Sequence, residues 1–290
     1  MTIQRFLVGG AVRDQLLGLP VHERDWVVVG ATATDMVHQG FRLKDKVFQV
    51  YLHPETGDEH ALARTETKSG SGHRGFVLEF GRHVTLEQDL GRRDLTVNAI
   101  AQSESGEIFD PYDGREALKA RTLRHVSKAF SEDPLRVLRC GQFLARLAPL
   151  GFRVDEETRL MMRRMASSGS LDELSNHRVW NESAKALRSR APSQYFELLF
   201  DLGLSNRIVS ILDDIAASAP PVLARTLQLM DESDDHQPDA QLALAYVVAA
   251  FARIQVRLKT TDFPLDVMSK AGRDRVLTAS QLAHAVRDCQ

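Results

Sequence analysis

Two hydrophobic periodicities divide the chain. Up to about residue 120, short runs rich in β-branched and aromatic residues read as strands, in RFLVGG, DWVVVG, KVFQVYLH and EHALART, with the helical stretches QLLGL and ATDMVHQ between them. From about Ala129 onward the strand signal almost vanishes. Apolar residues there recur at helical spacing, in DPLRVLRCGQFLARL, ETRLMMRRM, HRVWNESAKAL and SQYFELLFDLGL. The pattern predicts an α+β protein: a head over residues 1–125 with a small mixed β-sheet and helices, then an all-α neck and body over 126–215. A helical tail over 216–290 follows a break around Ala216–Pro221, where small residues meet two prolines, and a second acidic break lies in MDESDDHQPD. No internal repeat or low-complexity tract interrupts this order.

Composition narrows the function only a little. The chain has 290 residues, 43% hydrophobic and 26% charged, with a formal net charge of -2, so any contact with nucleic acid is confined to a local patch. Cys140 and Cys289 stand far apart, without the spacing of a disulfide framework or a zinc site, as expected of a reducing cytoplasm. The N-terminus lacks the pattern of an export signal, and no apolar run approaches the length needed to cross a bilayer. Nothing points to a membrane or to an obligate protein partner.

Two segments in the head carry chemistry. In LVGGAVRDQLLG a strand runs through Gly9 and Gly10 into a helix whose first turn holds Arg13 and Asp14. Glycines allow close approach of a phosphate to the backbone, and the helix N-terminus with Arg13 offers donors to a triphosphate, although a tight turn with a surface Arg has the same sequence. In HERDWVVVG, Glu23 and Asp25 are two apart on a predicted strand. A period of two turns both carboxylates to one face, where they can share a hard cation such as Mg²⁺ together with nucleotide phosphates. An acidic pair at a solvated strand edge reads the same way.

In the helical part, SEDPLRVLR places Ser131 as a helix cap, Glu132 and Asp133 at the helix N-terminus, and Arg136 and Arg139 along one face. Cytosine and adenine each show an exocyclic amino donor beside a ring-nitrogen acceptor, so Asp133 accepting and Arg136 donating would select them over uracil and guanine. An ion-pair ladder on a helix is the other reading. The arginines of RLMMRRM suit phosphate contacts or a solvated face equally.

Taken in order, LVGGAVRD, ERDWVVVG, ALART, GRRDLTVNAIA, DPYDG, LRHV, EDPLRVLR and RVW resemble the nucleotidyltransferase superfamily, and within it the bacterial tRNA nucleotidyltransferases, close to the poly(A) polymerases. The resemblance spans roughly residues 5 to 205. It implies addition of CMP and AMP from CTP and ATP to the 3′ end of tRNA, with Glu23 and Asp25 holding Mg²⁺ and Gly10, Arg13, Arg93 and Arg139 holding the triphosphate. Asp133 and Arg136 would select the base, while Asp94 and Asn98, read with Arg92 and Arg93 on a helix, would position the ribose. The helical body would grip the acceptor stem by shape and phosphate contacts. TETKSGSGHRGF is expected to be a mobile loop near the site, Glu59 marks a third carboxylate or a surface turn, and Trp180 is expected in the core.

Three features depart from the family pattern. Glu23 replaces the first Asp of the usual Asp-x-Asp, and Gln142 stands where close relatives carry another Arg. Many relatives also carry a phosphohydrolase module with a His-Asp doublet. This chain has no His-Asp dipeptide, His236 and His284 are the last histidines, and ALAYVVAAFARI is apolar where a metal-binding helix would be expected. The alternatives are enzymes adding only C or only A, a poly(A) polymerase, or a non-catalytic RNA-binding paralogue.

Overall fold

The computed structural model of the chain describes residues 2–68, 76–204 and 227–232. The centre of the TETKSGSGHRGF segment, the break at Ala216–Pro221, almost all of the predicted tail, His236, His284 and Cys289 lie outside the described residues. The chain forms two compact units, Met1–Asp133 with Val154–Thr158, and Pro134–Arg153 with Arg159–Gln290.

The first unit has the expected mixed α/β character. Its elements run β1 (Gln4–Val8), α1 (Gly10–Leu16), β2 (Asp25–Val29), α2 (Ala33–His38), β3 (Arg42–Asp45), β4 (Val50–Leu52), β5 (Glu59–Leu62), β6 (Arg64–Lys68), β7 (Phe76–Phe80), α3 (Leu86–Gly91), β8 (Ala101–Ser103), β9 (Ile108–Phe109) and α4 (Gly114–Lys119). Seven strands form one sheet in the order β3-β4-β5-β2-β1-β8-β9. Among the described residues of this sheet, β2 and β5 pair in parallel and the other pairings are antiparallel. Alternation along β1 and β2 sends Phe6, Val8 and Val27 to one face, where they pack with Leu90 and Ala99, and Val28 to the other, where it packs with Met36, Phe41 and Leu62. Thr32 and Asp35 begin α2 with a reciprocal capping box.

Several sequence-predicted elements are redrawn by the structure. KVFQVYLH is not one strand: Gln49 takes a left-handed φ of 50°, which ends the preceding turn and leaves only Val50–Leu52 in β4. EHALART divides at Ala63 between β5 and β6, which belong to different sheets. TETKSGSGHRGF is flanked by a hairpin, since β6 and β7 pair from Arg64–Phe80 to Lys68–Phe76. RRDLTVNAIA is not a helix: α3 ends at Gly91, Leu95 is extended and bridges His125, and only a 3₁₀ turn, Thr96–Asn98, follows. From Asp94 to Ala101 every residue is buried, so its apolar positions do not mark one face of a helix.

In the second unit, α5 (Leu135–Leu147) packs against α7 (Asn176–Leu187) and α8 (Pro192–Asp201). Gly141 of α5 lets the Tyr195 ring come close, because a Cβ there would lie 2.7 Å from a ring carbon. The Tyr195 hydroxyl shares a 2.9 Å hydrogen bond with Ser183, and burial pushes its pKa upward. Cys140 is buried on the same helix. On α6 (Glu156–Ser167), Arg159 and Arg163 bond the Asp201 carboxylate at 2.7 and 2.6 Å, so two of the arginines in RLMMRRM are tied to an acid within this unit. Trp180 is half-buried rather than enclosed in the core.

Ser131 does not cap α5. A 3₁₀ turn, Lys128–Glu132, precedes the helix, and the Ser131 hydroxyl donates to the Lys128 carbonyl. Asp133 is extended, with φ -115° and ψ 107°, and Pro134 is the N-cap residue. Proline disfavours helical backbone in the residue before it, so Asp133 is not part of α5.

Candidate active site

Strand register builds the site at one end of the large sheet. Asp25, the first residue of β2, is paired with Val8 on one side and with Glu59 on the other. Val8 leads directly into Gly9 and Gly10, so the acidic strand end and the diglycine turn are neighbours. Glu59 opens β5 beside Asp25, and residues in register on adjacent strands face the same way. Glu23 lies in irregular chain two residues before β2 begins, rather than on the strand.

These acids act on one another electrostatically. Although Asp25 is solvent-accessible, partial burial pushes its carboxyl above the ordinary value; the negative charges of Glu59 and Glu23 raise it further, while Arg93 and Lys44 oppose them. Glu59 accepts a hydrogen bond from Lys44, whose side chain and that of Glu59 are 48% and 42% exposed. Oxygen-only donors held against mutual repulsion fit a hard divalent cation. Among the described residues no three His, Cys, Asp or Glu side chains converge closely enough to hold a metal by themselves, so phosphate oxygens and water would have to complete a shell.

The diglycine turn has a structural use that its sequence does not display. Gly9 has φ 67° and ψ -128°, and a Cβ there would come 2.9 Å from Nη1 of Arg93. A Cβ at Gly10 would lie 3.4 Å from Nη2 of Arg13. The glycines thus make room for two guanidinium groups.

Arg13 differs from its expected placement. It is only 1% exposed, its Nε donates to Asp14 at 2.9 Å and its Nη1 donates to Asn98 at 2.6 Å. Asn98 in turn donates to Asp94 at 3.0 Å, and Asp94 accepts the Leu95 amide at 2.8 Å. Arg13, Asp14, Asp94 and Asn98 form a buried network beneath the turn, not a row of groups facing a ligand.

Arg93 is held from the other side. Its Nη2 donates to Asp89 at 3.2 Å and its Nη1 to the Asn98 carbonyl at 3.4 Å, while its Nε is buried with no hydrogen-bond partner. Asp89 also binds Arg92 at 2.9 Å. Burial works against the Asp89 carboxylate, but Arg92 and Arg93 outweigh it and hold the pKa below the usual range. Arg92 continues to Glu66 at 2.9 Å, which also binds Arg64 at 3.0 Å. This ion cluster at the base of the β6–β7 hairpin fixes the orientation of Arg93. Its acids, Glu66 and Asp89, were not legible as partners because each comes from a different element.

The remaining predicted residues are placed within their own units. Asp133 ends the first; Arg136 and Arg139 lie on α5 in the second, Arg136 8% exposed and Arg139 with its guanidinium 5.6 Å from the Phe143 ring centre. Gln142, on the same helix, is buried. Asp110 of DPYDG has a structural role, its carboxylate accepting the Gly114 and Arg115 amides at 2.7 and 2.9 Å to start α4.

The mixed sheet thus places the acidic end of a central strand beside the strand–diglycine–helix turn. Residues 5–124 match the poly A polymerase head domain, and residues 151–215 match a probable RNA- and SrmB-binding site of polymerase A. The multifunctional CCA protein of Thioalkalivibrio sulfidiphilus (strain HL-EbGR7) is 58% identical over 201 residues, covering 69% of this chain and 49% of that protein. The CCA-adding enzyme of Marinobacter nauticus is 52% identical over 212 residues, covering 73% of this chain and 57% of that enzyme. Among solved structures, the Bacillus stearothermophilus CCA-adding enzyme in complex with CTP matches with TM-score 0.64 and 23% identity, over 99% of this chain and 75% of that one. The Thermotoga maritima CCA-adding enzyme complexed with tRNA matches with TM-score 0.65 and 20% identity, over 98% and 67%. The chain belongs to the nucleotidyltransferase family of poly(A) polymerases and CCA-adding enzymes. It spans about half the length of the curated relatives it matches.

Proposed function

We propose that the chain is a template-independent nucleotidyltransferase that adds CMP and AMP from CTP and ATP to the 3′ end of tRNA. The observation that carries this reading is the register that sets Asp25 between Val8, at the start of the diglycine turn, and Glu59. It is supported by relatives named for CCA addition at 52–58% identity. The reaction joins the terminal ribose hydroxyl oxygen to the α-phosphorus, breaks the α–β phosphoanhydride and releases pyrophosphate, with the hydroxyl proton passing to solvent.

Glu23 and Asp25 would hold Mg²⁺, with Glu59 beside them, and the ion would supply charge stabilisation to the attacking and leaving oxygens. Arg93, with its buried and unpartnered Nε, is the cation we assign to the phosphates, and Gly10 lets them approach the backbone. Arg13 supports that turn from within. We assign triphosphate binding also to Arg139 and base selection to Asp133 and Arg136, on the chemistry of the cytosine and adenine edges and the family likeness. Residues 1–125 would form the catalytic head, residues 126–215 the neck and body that select the base and hold the acceptor stem, and residues 216–290 a helical tail.

Among the described residues no helix is long and apolar enough to cross a membrane. We place the chain in the cytoplasm on its likeness to relatives named for CCA addition. The test is addition of each nucleoside triphosphate to tRNA lacking one, two or three 3′ residues, beside an Asp25→Ala control. Incorporation of C and A with little U or G, lost in the control, is the expected result. Single-nucleotide products would identify a C- or A-adding enzyme, runs of A a poly(A) polymerase, and tRNA binding without incorporation a non-catalytic paralogue.

A further inference from the structure

The third acid of the site already has a cation. Lys44 lies at the register shift between the Leu43–Tyr51 and Asp45–Val50 pairs of β3 and β4. Its ammonium group reaches past β4 to donate to Glu59, the residue in register with Asp25. Asp25 and Glu23 lie within the electrostatic reach of the same ammonium group. Both members of the Lys44–Glu59 pair are about half exposed, so the bond is individually weak and readily exchanged.

We propose that Lys44 is a built-in placeholder cation, which neutralises the acidic site in the resting protein and competes with the divalent metal for it. This rests on the reading of Glu23 and Asp25 as metal ligands and goes beyond it. One positive charge bonded to Glu59 and felt by Asp25 and Glu23 lowers the repulsion among the acids without completing a coordination shell. A dication entering the same site must then either displace the ammonium group or tolerate it as a like-charged neighbour. Both routes weaken metal binding. Resting occupancy by metal would therefore be low, with the site loaded as a nucleoside triphosphate brings its own negative charge and oxygen donors.

The test is Mn²⁺ binding to the full chain without nucleotide, followed by electron paramagnetic resonance of the free ion and by calorimetry. Lys44→Ala should bind Mn²⁺ about five- to tenfold more tightly than the parent chain. Lys44→Arg, which keeps the charge, should stay near the parent value. The gain should shrink as salt is raised. A gain in affinity cannot come from damage to the fold, so a merely structural role for Lys44 predicts the opposite direction. Unchanged or weaker binding by Lys44→Ala, or an equal gain in Lys44→Arg, overturns the proposal. Asp25→Asn separates the two readings: if it abolishes Mn²⁺ binding while Lys44→Ala matches the parent, the metal site stands and the placeholder fails. If no chain binds Mn²⁺, Lys44→Ala included, the placeholder fails, while the reading of Glu23 and Asp25 as metal ligands is decided by nucleotide addition in the Asp25→Ala control.

Discussion

The Arg13 guanidinium donates to the side-chain oxygen of Asn98 at 2.6 Å, joining the helix after the diglycine turn to a 3₁₀ turn 85 residues along the chain. The same guanidinium is 2.8 Å from the carboxylate of Asp14, and both charges are almost fully buried. Removing one partner of a buried pair leaves the other charge desolvated and uncompensated, which costs about 3–5 kcal/mol. Arg13→Ala should therefore lower the unfolding free energy by roughly that amount in urea titration. Lys has no planar fork to serve Asp14 and Asn98 together, so Arg13→Lys should recover only part of it. A loss below about 1 kcal/mol for the alanine variant would mean that the network is not what holds the turn.

Gly9 is the second constraint on that turn. Its backbone, at φ 67° and ψ -128°, is strained for any residue with a Cβ, and a methyl group would also press on Arg93 at 2.9 Å. The strain costs about 1–3 kcal/mol. Gly9→Ala should lower the thermal midpoint and also weaken CTP binding, because Arg93 must move away from the place where Asp89 and the Asn98 carbonyl hold it. Calorimetric titration of CTP into the folded variant checks this. Retention of the parent affinity would remove Arg93 from the phosphate site.

Much of this head was readable because its signals are local. The alternation in DWVVVG and the glycines after RFLV place Asp25 and the turn on adjoining elements, and the helical period from Leu135 onward corresponds to α5. What could not be read depends on contacts far apart in sequence. Glu59 meets Asp25 through a parallel pairing, and Lys44 reaches Glu59 from a register shift in β3 across an intervening strand. RRDLTVNAIA mimics a helix because Leu95, Val97 and Ile100 are apolar, yet from Asp94 onward every residue is buried around a short 3₁₀ turn. The inward turn of Arg13 is invisible for a related reason: its partner Asn98 belongs to that same misread segment.

Asp25 links stability to function with opposite signs. Its carboxyl is raised above 3.8, first by burial and then by Glu59 and Glu23, so between that value and the raised pKa the folded state binds more protons than the unfolded one. Stability from this group is therefore complete below the unfolded pKa and falls as pH rises through the folded pKa. At neutral pH the metal-free protein carries the cost of the ionised group. Asp25→Asn should raise the metal-free thermal midpoint at pH 7 by about a degree or two while removing nucleotide incorporation. The stabilisation should fade as pH is lowered towards 4, and a variant less stable than its parent at pH 7 would contradict it.

Asp35 works in the reverse sense. The Thr32 side chain, the Thr32 amide and then the Arg82 guanidinium hold its pKa down at about 2, from 3.8. The depressed pKa means that the unfolded chain takes up the proton first as pH falls. The stabilisation is present above about pH 4 and drains away between there and about pH 2. Asp35→Ala removes the N3 carboxylate of the α2 capping box, which accepts the Thr32 amide at 2.8 Å, and the 2.9 Å contact to Arg82. The variant should have a lower thermal midpoint than its parent at pH 6, and the gap should narrow as pH falls from about 4 towards about 2. Thr32→Ala, which deletes the largest cause of the shift, should show the same narrowing at smaller amplitude, whereas Arg82→Ala should leave most of it in place. A gap for Asp35→Ala that stays constant across this range would show that the residue acts through its backbone and packing, with no contribution from its charge.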